Sequence, residues 1–164
     1  MKMKKLSILA CILSILILTC ACGSEFSGSP SKEDAICSFL QTDKDMHVSS
    51  DDLNQYILSS NEYDGDTYYI MTDDSKELIY LVSVSEENGK FIAEKTSADI
   101  SLTQSDPSES TVSLDNFGFT AGKIYDSSLK PYYHNEPVPV SDDGLFAVWF
   151  DNINPKEDIV YNKN

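Results

Sequence analysis

Between Thr67 and Glu94 the chain reads as strand, turn, strand, turn, strand, and this pattern limits its folds more than any other feature. Thr67 to Thr72, Glu77 to Ser85 and Lys90 to Glu94 are rich in Tyr, Ile, Val and Phe, while Asp73-Asp74-Ser75 and Glu87-Asn88-Gly89 separate them. Asn-Gly is the strongest short hairpin signal, because both residues accept positive φ. The spacing predicts an antiparallel meander of three strands, with Asp99 to Gln104 as a candidate fourth.

Upstream of the meander the apolar period is helical. Ser31 precedes Lys32-Glu33-Asp34, a hydroxyl cap followed by first-turn acids, and Ala35, Ile36, Phe39 and Leu40 follow at helical spacing. This predicts a helix over 32–41. Ser49-Ser50-Asp51-Asp52 and then Leu53, Tyr56, Ile57 and Leu58 repeat the arrangement and predict a second short helix packed on the first.

Downstream, Ser105-Asp-Pro-Ser-Glu-Ser110 is a polar break. Short β-like runs then resume at 111–114, 122–125, 138–140, 145–151 and 158–161. Pro137 and Pro139 confine their segment to an edge or a loop. Leu145 to Phe150 is apolar at every position, which predicts a central strand covered on both faces, with Trp149 in the core. The fold class expected is α+β: two short N-terminal helices followed by a mainly antiparallel meander. The two halves either share one sheet or stack two. No internal repeat is found.

All 12 basic residues are lysines, set against 27 Asp plus Glu. Without the arginine fork that grips phosphates and guanine edges, and at a net charge of -15, nucleic acid is not an expected partner. A hydrophobic content of 41% is enough for an ordinary core, so the acidity does not signal a disordered chain.

The N-terminus carries Lys2, Lys4 and Lys5, then an apolar run of 13 residues from Leu6 to Leu18, then the small-residue stretch Thr19-Cys20-Ala21-Cys22-Gly23-Ser24. This is the three-part plan of a secretory signal. As a helix the run reaches only about 20 Å against roughly 30 Å of hydrocarbon, too short for a permanent span. The leader resembles that of bacterial lipoproteins, in which a cysteine at the cleavage point receives a diacylglyceryl group and becomes the mature N-terminus. The resemblance covers about the first 24 residues and implies lipid attachment at Cys22, which Ala21 precedes and Gly23-Ser24 follow. Cys20, with Ile17 three residues before it but Thr19 directly before it, is the alternative.

These features divide the chain into a signal peptide over 1–21, a lipidated cysteine with a flexible Gly/Ser-rich tether over 22–31, and a single domain over 32–164 with 105–110 as its candidate sub-boundary. Cleavage before Cys22 removes three lysines and no acid, leaving nine lysines against 27 acids, a mature charge of -18. Only Cys37 then belongs to the folded region, so no internal disulfide is expected.

Motifs for chemistry are sparse. Cys37 with His47 or His134 as base is a conceivable nucleophile, set against ordinary packing of Cys37 beside Ile36 and a solvated loop for His47. Two histidines and one internal cysteine lack the spacing of a zinc site. Asp64-Gly65-Asp66, Asp73-Asp74 and Asp142-Asp143-Gly144 place oxygens in turns as calcium loops do, but Asp with Gly is also ordinary turn chemistry. No metal or cofactor is therefore assigned. The tyrosine pairs Tyr68-Tyr69 and Tyr132-Tyr133, with His134, are the candidate partner-binding residues, since such rings bury area while keeping a polar tip.

The reading that follows is a non-enzymatic, lipid-anchored binding or accessory protein on the outer face of a bacterial cytoplasmic membrane. Its partners would be the membrane, through the anchor, and a cationic protein or peptide or a cell-wall component. An acidic inhibitor or immunity protein that captures a cationic enzyme or peptide is the second reading. An envelope hydrolase using carboxylates or Cys37 is the third.

Overall fold

The computed structural model describes residues 28–116, 118–150 and 159–163. The first helix forms as its sequence grammar predicts. Ser31 sits in extended geometry and its hydroxyl accepts the Asp34 backbone N–H at 3.0 Å, opening α1 (Lys32–Asp43). Ala35, Ile36, Phe39 and Leu40 form its buried stripe. The Lys32 ammonium reaches Thr67 at 2.8 Å and Glu62 at 3.6 Å, tying the start of the helix to the sheet beneath.

The predicted second helix is replaced by a single 3-10 turn (Leu53–Gln55), after which the chain enters β1 (Ile57–Tyr63). The physical reason lies in where the apolar residues go. Leu53, Tyr56 and Ile57 pack into the core under α1, but Leu58 packs on the opposite side of the sheet. Adjacent residues Ile57 and Leu58 on opposite sides show the two-residue alternation of a strand. Asp52 makes no side-chain cap, and Tyr56 offers its carbonyl to the Thr72 N–H at 2.9 Å, so pairing with a distant strand takes over within one turn.

The first sheet is a meander in the order β1-β2-β3-β4, with β2 (Asp66–Thr72), β3 (Leu78–Glu87) and β4 (Lys90–Lys95). Asn88 and Gly89 both have positive φ, 53° and 75°, and Glu87 pairs with Lys90, the two-residue turn that the sequence predicts. Asp64 and Gly65 build the same turn between Tyr63 and Asp66. The candidate strand over Asp99 to Gln104 forms only β5 (Ile100–Ser101), which pairs with Leu78 and Ile79 on the same edge of β3 as β4 and so does not extend the meander. In the gap between β4 and β5 the Ser97 hydroxyl accepts the Leu81 N–H at 2.8 Å, so this partly buried amide is not orphaned.

After 105–110 the chain builds two small antiparallel sheets. One contains β6 (Thr111–Asn116), β7 (Phe119–Ile124) and β10 (Leu145–Trp149) in the order β10-β7-β6. The other contains β8 (Leu129–Tyr133), β9 (Glu136–Pro137) and β11 (Val160–Lys163) in the order β11-β8-β9. The molecule is therefore mainly β with one α-helix among the described residues and several antiparallel sheets, and this overturns the α+β expectation with its two N-terminal helices.

Three cores hold the layers in register. Tyr80, Val82 and Val84 of β3 face α1, whereas Ile79 and Leu81 face the second sheet, as the two-residue period of a strand requires. Phe119, Ala121, Leu145 and Trp149 complete that second core. On the far side of the same sheet, Ile124, Phe146 and Val148 meet Leu129, Tyr133 and Tyr161 in a third. Leu145 to Trp149 is thus covered on both faces as expected. Among the described residues it is not a central strand, because there it pairs only with β7 and gains its burial from the layers above and below. Pro137 sits on the short edge strand β9 and Pro139 in the loop beyond it, as their missing donors demand.

Candidate functional site

Strand alternation separates the residues of each tyrosine pair. On β2, Tyr69 points into the core under α1, where burial, then Glu33 and Glu62, push its hydroxyl pKa up. Tyr68 faces the other side of that sheet. On β8, Tyr133 enters the third core, stacks on the His134 ring at 4.2 Å and tilts against Phe150 at 5.9 Å. Tyr132 turns the opposite way, into a shallow hollow of about 380 Å³ with His134, Asn135, Val160 and Asn162. His134 and Asn135 have φ of 51° and 65° and are the two central residues of the β8–β9 turn. The first pair thus belongs to the first sheet and the second to the third, and only Tyr132 and His134 line one hollow. Cys22 and Cys20 lie outside the described residues.

The structure does bring Cys37 and His47 to one hollow, of about 490 Å³, together with Asp34, Ser38 and Gln41. Burial pushes the Cys37 thiol up despite a hydrogen bond from Ser50, and the negative charges of Asp34 and Glu33 push it further. A thiol kept protonated is a poor nucleophile, so the electrostatics of this hollow work against thiolate chemistry.

The Asp73 carboxylate is occupied with its own turn. Burial raises the Asp73 carboxyl, but hydrogen bonds from Ser75 at 2.6 Å and from the Leu78 and Glu77 N–H groups at 3.1 and 3.3 Å outweigh it and hold the group below the ordinary range. Asp64 and Gly65 form a hairpin turn. Among the described residues no three His, Cys, Asp or Glu side chains converge as a metal site would require.

A concavity of about 600 Å³ lies where β7 ends, β8 begins and the 137–144 segment passes between them. Its floor is apolar, from Ile124, Leu129, Val138 and Val140, and its rim carries Asp142 and Asp143 against Lys130. The acidic rim is held firmly. Gly144 has φ of 79°, its N–H donates to Ser141 O at 2.9 Å, and its carbonyl accepts the Ile124 N–H at 2.9 Å. The Ser141 hydroxyl accepts the Leu145 N–H at 3.1 Å. A Cβ at position 144 would come within 2.4 Å of the Ile124 carbonyl oxygen, so glycine alone fits the turn as it stands.

Sequence reasoning missed this cleft. Val138 to Val140 reads as a strand, yet the structure leaves the run without a ladder: Pro139 removes one of its donors and Pro137 another just before it. Valines flanked by prolines and followed by Asp-Asp-Gly are the signal that was available. No family model, no curated protein and no solved structure matches this chain.

Proposed function

We propose that this is a lipid-anchored, extracytoplasmic protein of a bacterial envelope whose domain is a non-enzymatic binding or accessory module. The observation that carries the reading is the leader: three lysines, a 13-residue apolar run and then Ala21-Cys22-Gly23. The distribution of charge fits a module that meets its partner through solvent. The cores absorb the apolar residues of helix and strands, and the acids stand at turns and strand ends, from Glu62 and Asp64 through Glu86 and Glu87 to Asp142 and Asp143. A surface with a mature charge of -18 attracts cationic proteins and peptides and accelerates their encounter at low salt. The same charge suits an inhibitor or immunity role, a more specific form of the same capture.

The test is membrane fractionation of the full chain expressed in a bacterial host, with mass spectrometry of its N-terminal peptide. The wild type is expected in the membrane fraction with a diacylglyceryl mass on Cys22. Cys22→Ser should lose that mass and leave the membrane fraction, whereas Cys20→Ser should retain both. An unmodified mature N-terminus would overturn the anchored reading, and lipid on Cys20 would move the site.

A further inference from the structure

The cleft between β7, β8 and the 137–144 segment stands on the third core: Ile124 and Val138 are buried in it and Leu129 packs against it, while other lining residues reach the surface. Four large hydrophobic residues stand exposed among the described residues, and two of them, Tyr125 at 37% and Val140 at 39%, line this one cleft. Isolated exposed apolar residues are ordinary, but a concave cluster with a polar rim marks an interaction surface.

Charge identifies the occupant. Asp142 and Asp143 are exposed and have neither a hydrogen-bond nor an ion-pair partner among the described residues, and Lys130 is the only cation on the lining. The turn that presents the two carboxylates is pinned through Ser141 and Gly144 to β7, so they do not need to be ordered when a partner arrives. An anionic lipid surface or an acidic peptide would be repelled by this rim. A purely apolar ligand would leave the rim carboxylates without a role.

We propose that this cleft docks an extended peptide segment of a partner protein that alternates apolar residues with Lys or Arg. The apolar side chains cover Tyr125, Val140 and Leu129, and the cations meet Asp142 and Asp143. The proposal rests on the reading of the domain as a binding module and assigns that module its contact surface.

The test uses the isotope-labelled full chain in a zwitterionic detergent, titrated with a Lys-Val-Lys-Val-Lys peptide and followed by amide NMR shifts. Shifts are expected to cluster at Ile124, Leu129, Val140 and Gly144. The paired change Asp142→Asn with Asp143→Asn should weaken binding about fivefold at low salt, the scale of two exposed charge pairs. Val140→Ser should weaken it without changing its salt dependence. A Ser-Val-Ser-Val-Ser peptide that binds equally well, or self-association of the chain through Val140, would overturn the cationic-peptide assignment. Peptide binding that maps to other acidic surface, or that survives the paired change unaltered, would overturn the cleft and leave the acidic module standing. No salt-sensitive binding of the lysine peptide anywhere would count against both.

Discussion

Lys44 shows how much one residue can join. It follows α1 as its C-cap, its ammonium donates to Asp99 at 2.6 Å, and it lies 4.4 Å from the centre of the Tyr80 ring. Lys95 reaches the same Asp99 oxygen at 3.2 Å, so a single carboxylate links the helix end to the loop after β4. The hydrogen bond from Lys44 holds the Asp99 carboxyl below its ordinary 3.8, with burial opposing and Lys95 assisting. Asp99 is more than a third exposed, so solvent screening limits its worth, and Asp99→Asn is expected to lower stability by about 1 kcal/mol near neutral pH. The sign of the pH dependence follows from the depressed value. The contribution is whole above pH 3.8 and disappears as pH falls through the lower folded value. Urea unfolding of both proteins at pH 7 should show the gap, and at the acid end of the wild-type transition the gap should close. A gap that is unchanged in acid would mean that the carboxylate's charge is irrelevant. Nothing in the sequence announces this link, because 55 positions separate its partners.

At the scale of elements, legibility follows the range of the forces. The helix over 32–43 and the Asn88-Gly89 hairpin are set by neighbours in sequence, a hydroxyl cap in one case and a pair of positive φ angles in the other, and both are readable directly. Ile57–Tyr63 is not, because Ser-Ser-Asn-Glu has little strand preference and forms β1 through its ladder with β2. Leu129–Tyr133 hides behind Pro131, whose carbonyl accepts the Val138 N–H at 2.9 Å. Carbonyl and amide nitrogen of a strand residue face the same neighbour, so the missing donor points to β9, where the ladder ends. The candidate tyrosines were legible as residues but not as a surface, since adjacent strand positions diverge. Trp149 tests the layer between the first two sheets. It tilts on Phe119 at 5.4 Å and is half-buried, so Trp149→Ala is expected to lower unfolding free energy by about 3 kcal/mol, the lower end for such truncations. Chemical denaturation reads this directly. A loss within about half a kcal/mol would mean that the ring contributes little packing.

At the scale of the whole molecule, the lipid anchor proposed on Cys22 would set the relation of domain to membrane through charge and chain length. Ser29 exchanges backbone hydrogen bonds with Phe91 at 2.8 and 2.9 Å, so the chain is already docked on the edge of β4 two residues before the helix cap. With the proposed lipid on Cys22, six residues, Gly23 to Gly28, would lie between the anchor and the docked Ser29, against the nine from Gly23 to Ser31 in the expected tether. A flexible chain of that length spans about 12 to 15 Å. The field of an anionic membrane decays over about 8 Å at physiological salt, so the domain can stand beyond it but not far beyond. Under the proposed anchoring, repulsion and tether length would act together, keeping the acidic domain near the surface while its charge prevents it from lying down. A lipid-free form beginning at Gly23 should stay in the supernatant when sedimented with anionic vesicles at low salt, and it should do the same at high salt, where repulsion is screened, because no lipid-binding face replaces the anchor. Sedimentation of the protein only at high salt would reveal an apolar contact masked by charge, and sedimentation at low salt would defeat the stand-off arrangement altogether.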